Sequence, residues 1–537
     1  MKLRLLAGLL LGFAISAFAQ GGYQDGVDYF NANRLEEAKI ILNNTLNNPA
    51  TDQAVSYYYL GAIDLLEGNV SGAKANFDKG LAANPANALN HVGLGELALR
   101  AGDKKTAEEY FKAAEKCDKK DAAVYAFIAR AYFNVNPTLY AKEIQKYIDK
   151  GFKVSKYEEP AIYMLQGDMQ AGTNPGEAAG LYEMAMNQAE AKGIVNPEAY
   201  VKYANTYFHI NPQFAIQRLV DLNEKLPTSA LAQRELAEKY YENDQLTMAA
   251  EQYGKYMKNP NHFQRDEQRY AGLLFFGGKY EESLAVADNV LKTDPSNFYM
   301  WRMKMYDLDA LKRYDKAKVV ADKFFTLTGD FNAKDYETLG NILSEIKDYN
   351  GAVAAYEKAI AINPDKTDLL QYISECYANA DDHAKALEAM KQYAATGHDK
   401  TNDYYILARR CFNYALTLPE GSAERTATAR EGVAAIDKAL EKAPESGSLW
   451  RQKAQLLQAI DPAITAEIAQ CYEKMIDCYL AEPDGINQRA AALKAAYGNL
   501  AGYYLNSGDK ATARGYYEKL LQLDPDNQDL KNYLKNF

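Results

Sequence analysis

Histidine and tryptophan are scarce in this sequence, with 5 His and 2 Trp in 537 residues. His91, His209, His262, His383 and His398 are scattered, forming neither an H-E-x-x-H motif nor a Cys-His cluster, so no metal site is expected. A G-x-S-x-G nucleophile elbow is absent. Basic charge is short too: 61 Lys and Arg stand against 72 Asp and Glu, a formal charge of −11. Without a basic face, nucleic acid and anionic membrane surfaces are poor partners. After residue 19 no apolar run is long enough to span a bilayer. Catalytic residues, cofactors and transmembrane segments are therefore not expected.

Two stretches imitate phosphate-binding loops. Gly93-Leu94-Gly95-Glu96-Leu97-Ala98 fits G-x-G-x-x-A, but the fingerprint needs a preceding strand and a βαβ unit, and these glycines fall in a helical pattern. Gly272 to Gly277 has Walker spacing, yet continues Gly278-Lys279-Tyr280, without Lys then Ser or Thr where required. It reads as a helix end with a glycine cap.

The start of the chain reads as a secretory signal peptide over residues 1–19. Lys2 and Arg4 are followed by an apolar run, Leu5 to Ile15, and by the A-x-A site Ala17-Phe18-Ala19. The expectation is export, periplasmic or extracellular and possibly peripheral to the outer membrane, with the mature chain beginning at Gln20. Loss of Lys2 and Arg4 leaves 59 basic against 72 acidic side chains, a charge of −13. Five cysteines in an exported chain invite a disulfide reading. Cys471 and Cys478 lie seven apart on one expected helix, roughly 10 Å between Cα atoms, too far to pair. Cys376 and Cys411 are 35 apart and could face each other on neighbouring helices; buried small thiols are the favoured reading for all five, Cys117 included.

What the chain has in abundance is tyrosine, 42 residues. A buried ring with a hydroxyl that reaches the surface suits repeated helix packing. The clearest stretch is Tyr336 to Pro364, YETLGNILSEIKDYNGAVAAYEKAIAINP. Tyr336, Leu339, Gly340 and Leu343 mark a first helix, Lys347-Asp348-Tyr349 a turn, and Ala352, Tyr356 and Ala359 a second helix that Pro364 stops. The spacing recurs. Gly61 and Gly95 are 34 apart, as are Ala237, Ala271 and Met305. Phe77 and Phe111 take the second-helix aromatic place, Trp301 and Trp450 the first-helix one, and Pro85, Pro260 and Pro295 close repeats. Roughly a dozen extra residues around Pro419 to Ser422 loosen the last quarter, and Asp526 to Phe537 reads as a polar capping helix.

This pattern resembles the tetratricopeptide (TPR) repeat, W-x2-L-G-x2-Y…A-x3-F…P. The resemblance implies an all-α, right-handed superhelical solenoid of about fourteen antiparallel helix pairs. We divide it into N-terminal repeats at 20–155, central repeats at 156–400, and irregular C-terminal repeats with a cap at 401–537. In such proteins the first helix of each pair lines a concave groove that receives a partner's peptide. The positions expected to face it include Phe208, Arg234, Tyr241, Phe275, Arg302, Tyr306, Arg409 and Phe412, with Tyr58, Arg130 and Phe133 earlier. Aromatic and arginine side chains are what interface hot spots favour. Some of these rings could instead pack between repeats. The carboxylate clamp of chaperone-binding TPR domains is not matched: Asn205 holds one place, but Val201 replaces its Lys, and Glu238 and Glu242 follow. The expected function is a non-catalytic exported scaffold that binds a protein or peptide, within an envelope assembly or secretion system. The alternative is a helical platform of a carbohydrate- or peptidoglycan-active enzyme.

Overall fold

The computed structural model describes residues 22–537; the apolar start and its A-x-A site lie outside them. Among the described residues there are thirty α-helices and no strands. Twenty-eight of them form fourteen antiparallel pairs, from Tyr23–Asn31 with Leu35–Thr45 to Ala490–Asn506 with Lys510–Leu523. The other two are the single turn Gly485–Gln488 and the closing helix Gln528–Lys535. The chain is thus an all-α solenoid of the expected repeat number.

Each pair is held by a fit of small against large. A side-chain carbon on Gly61 would lie 2.5 Å from the Phe77 ring, one on Gly95 2.3 Å from Phe111, and one on Gly340 2.4 Å from Tyr356. In every case the ring stands sixteen residues on, one turn of the pattern later. All three rings are buried. Backbone and ring thereby approach more closely than any residue with a Cβ would allow.

The two kinds of turn are equally regular. Between the helices of a pair the chain passes through the left-handed region, at Gly68, Gly102, Gly278 and Gly508 and also at Lys347 and Asp381. The next residue then caps the second helix: Asn69 accepts from Gly72 N–H, Asp103 from Thr106, Asp348 from Gly351 and Asp382 from Lys385. Between pairs, the first-helix signature residue reaches six residues back to a turn carbonyl. Trp301 Nε1 donates to Pro295 O at 2.9 Å and Trp450 Nε1 to Pro444 O at 2.7 Å. Tyr125, Tyr163 and Gln233 do the same to Lys119, Tyr157 and Pro227. A polar-tipped residue at that place closes the connection, onto a proline carbonyl in three of these five cases.

Two compact units divide the chain, Met1–Val286 and Ala287–Phe537. All five cysteines are free, and Cys376, Cys411 and Cys471 are buried thiols. No helix among the described residues is long and apolar enough to cross a membrane.

The packing rule separates two kinds of glycine. Gly340→Ala should destabilise the protein by about 1–3 kcal/mol in chemical denaturation, because the methyl has to displace Tyr356. Gly515→Ala, in a helix where nothing lies within 4 Å of the added carbon, should stabilise it by roughly 0.5–1 kcal/mol. Equal effects at the two positions would refute the size fit.

Candidate partner-binding faces

Within each unit first helices of consecutive pairs pack on one another, and two positions on each define the face we call inner: one residue after the small residue, and three before it. The two units present opposite surfaces at the second. In the N-terminal unit the three-before position carries Val92, Ala126, Met164 and Val201 in successive pairs, each no more than 3% exposed. Rings from neighbouring and next-but-one pairs meet across this face. The rings of Tyr58 and Phe127 are 6.1 Å apart, and those of Phe30 and Tyr59 5.1 Å. The first pair, Tyr23–Asn31 and Leu35–Thr45, also lies against the seventh, Ala230–Glu242 and Leu246–Tyr256: Arg34 grips Glu235 at 2.8 and 2.9 Å. One apolar cluster includes Val27, Tyr29, Met164, Val201 and Leu236. The inner face of this unit is filled by its own chain.

At the one-after position both units are polar, with Glu96, Arg130, Asp168 and Asn205 in the first; at the three-before position the C-terminal unit instead carries side chains that reach solvent. Glu337, Gln371 and Tyr405 there are half-buried and Arg451 exposed, and Phe412, one turn beyond Ala408, is half-buried beside them. This face is open.

Charged groups tie consecutive pairs together. Arg234 holds Asp266 through Nε at 2.7 Å and Nη2 at 3.2 Å. Two repeats on, Arg302 holds Asp335 through Nε at 2.8 Å and Nη2 at 2.9 Å, and Tyr306 donates to Asp335 at 2.7 Å. Such a two-pronged fork on a buried carboxylate fixes the angle between repeats. Asp168 takes both Arg130 and Lys202, the latter at 2.8 Å, and the Tyr182 hydroxyl at 2.8 Å. Burial pushes the Asp168 carboxyl up, but Arg130 and Lys202 outweigh it and hold it down at about 2. Asp28 has the opposite surroundings. Enclosure, Asp25 and Glu198 push its carboxyl up to about 7 against the hydrogen bond from Gln24.

The expected groove residues therefore separate. Arg234, at 7% exposure, and Phe208, at 8%, are buried, and Arg302 and Tyr306 are committed to Asp335. They are clamps between repeats, because the next first helix offers a carboxylate within reach. Arg130 is likewise committed to Asp168. Tyr58 and Phe133 are half-buried among aromatic and aliphatic neighbours. Tyr241 stays 39% exposed under the Arg269 guanidinium, 4.4 Å from its ring centre. Phe275 packs on Phe276 and Tyr280. Arg409 and Phe412 are half-exposed together on Thr401–Thr417 of the open face. Arg409 Nε is shielded from solvent yet has no acceptor. Sequence reasoning named these positions but missed the acidic partners, Asp266 and Asp335, which stand at helix starts outside the signature.

Family models described as tetratricopeptide repeat match residues 64–131, 345–411 and 495–527. The chain carries tetratricopeptide repeats. It is 31% identical over 100 residues to an Hsp70-Hsp90 organizing protein of Triticum aestivum, a match over 18% of this chain that spans 17% of that protein. Among solved structures, the C-terminal part of a TPR repeat-containing protein from Cytophaga hutchinsonii is 20% identical, with 49% of this chain and 98% of that one covered and a TM-score of 0.42. Yeast Tom70 is 16% identical over 92% of this chain and 97% of its own, with a TM-score of 0.29.

Two outcomes follow. Arg302→Ala leaves Asp335 buried without its cation and should cost about 3 kcal/mol, whereas Arg409→Ala should stay within about 0.5 kcal/mol of wild type; denaturant melts of both variants check this. Between pH 4 and 7 the folded state keeps a proton on Asp28 that the unfolded chain has released, so Asp28 makes stability fall as pH rises through that window. Asp28→Asn should remove this fall and raise the melting temperature at pH 8. An unchanged pH profile would show that Asp28 is not enclosed as described.

Proposed function

We propose that the protein is a non-catalytic scaffold that holds a segment of a partner protein along the inner face of its C-terminal unit. The observation that carries this reading is the contrast at the three-before position: Val92, Ala126, Met164 and Val201 are buried in the N-terminal unit, whereas Glu337, Gln371, Tyr405 and Arg451 reach solvent in the C-terminal one. On it Arg409, Phe412, Tyr405 and Glu375 combine a planar donor, two rings and a carboxylate, the mixture that interface hot spots use. The half-exposed Arg409 guanidinium, paired only loosely with Glu375 at 3.7 Å, suits a carboxylate or backbone carbonyl of the incoming segment. The carboxylate clamp is unmatched at Val201, Glu238 and Glu242, and Val201 is fully buried, so a chaperone tail is disfavoured as the partner.

The place of action in this reading is the cell envelope, in an assembly or secretion system. Lys2, Arg4, the apolar run and Ala17-Phe18-Ala19 support export.

A photo-crosslinking amino acid at Tyr405 or Phe412 in cells should capture one defined protein, and the same probe at Tyr241 should not. Arg409→Ala with Phe412→Ala should abolish recovery of that partner while leaving helical circular dichroism intact. Equal capture from all three positions would refute the reading, and hydrolysis of peptidoglycan by the purified chain would replace it with an enzymatic one.

A further inference from the structure

The helix pair that fills the N-terminal unit is seated as a ligand would be. Tyr29 stands edge-on to Phe263, ring centres 5.5 Å apart. Around that contact lies a ring of polar pairs between residues some two hundred positions apart. Arg34 grips Glu235, Glu36 and Glu37 both meet Arg265, Arg234 approaches Glu37 at 3.7 Å, and Asn261 donates to Asp25 at 3.4 Å. The receiving surface belongs to Ala230–Glu242 and to the connection before Asp266–Phe276, which carries Asn261, Phe263 and Arg265. Its Arg234–Asp266 fork is complete without any help from the first pair.

Several features make the seat reversible. Helix Tyr23–Asn31 is only 9 residues long, and its N-cap, Gly22, offers no side-chain acceptor. An isolated helix of that length has no stability of its own. One bridging pair, Arg265 with Glu36, lies at the rim, 43% and 70% exposed, where an ion pair contributes less than about 1 kcal/mol; Glu37 and Glu235 are buried. On another side of the first helix, Asp28 faces Glu198 of Pro197–Tyr207 and its own neighbour Asp25, with Gln24 its hydrogen-bond donor and Tyr59 beside it. Glu198 is tied to Lys202 at 2.8 Å, and Arg130 lies within reach of its field. Deprotonated Asp28 therefore loosens the seat.

We propose that the inner face of the seventh and eighth pairs is a helix-binding site, and that the first pair is its removable intramolecular occupant. The partner it fits is a helical hairpin with the same pattern: a tyrosine, an arginine five residues on, and glutamates seven and eight on, as in Tyr29, Arg34, Glu36 and Glu37. This inference stands independently of the open C-terminal face. Displacement of the first pair turns a closed unit into one with a second groove.

The test uses the full chain and a fluorescent synthetic peptide of residues 22–46. Wild type should take up little peptide. Tyr29→Ala with Arg34→Ala, which weakens the occupant and leaves the receiving surface intact, should raise uptake roughly tenfold or more. A peptide carrying the same two substitutions should not bind. A lock, Asp25→Cys with Asn261→Cys in the wild-type background, should abolish even residual uptake until it is reduced. Hydrogen exchange then decides the mechanism. Fast exchange confined to residues 23–45 of the double variant, together with uptake, supports the proposal. Fast exchange without uptake, unchanged exchange in that segment, or loss of protection throughout residues 22–286 would each overturn it.

Discussion

Everything in this molecule depends on one contact: a residue with little or no side chain on the first helix of a pair, pressed against a ring sixteen residues later on the second. Gly61 under Phe77, Gly95 under Phe111 and Gly340 under Tyr356 set how closely two helices approach. That distance fixes which side chains look outward, which look at the next pair and which look inward. Where the ring is a tyrosine, its hydroxyl comes out on the inner side and ties down the residue there. Tyr182 donates to Asp168, Tyr356 to Asn341 at 2.9 Å and Tyr472 to Gln458 at 2.7 Å. The contact that builds a repeat thus also sets the chemistry of the face it presents.

From this follows a difference in use between the two units. Apolar side chains at the inner positions favour closure, since leaving Val92, Ala126, Met164 and Val201 in water would forfeit their burial energy. Polar side chains at the same positions, as at Glu337, Gln371 and Arg451, have nothing to gain from it. Arginine forks serve both units alike, as Arg234–Asp266 in one and Arg302–Asp335 in the other, and so hold repeats in register without deciding whether a groove is open.

The repeats were legible in the sequence because their information is local. The small residues, the aromatic rings, the turn at Lys347-Asp348 and the closing helix all lie where a short window predicts them. The role of the inner arginines was not legible, because the signature does not include the acid at the start of the following helix. Arg234 and Arg302 look like hot-spot residues until Asp266 and Asp335 are placed against them. Closure of the N-terminal unit was hidden for another reason: Arg34 meets Glu235 across 201 residues, and no periodicity carries that distance. One signal was available. The run of apolar residues at the inner position, Val201 among them, does not suit a wet groove.

Hydroxyl-radical footprinting of the folded protein tests the contrast between the faces most directly. Tyr405 and Phe412, half-buried, should keep a substantial part of the oxidation rate they have in the unfolded chain, while Met164, among the most reactive side chains when wet, should be protected. Rapid oxidation of Met164 in the folded protein would contradict a filled N-terminal face, and with it the assignment of partner binding to the C-terminal one.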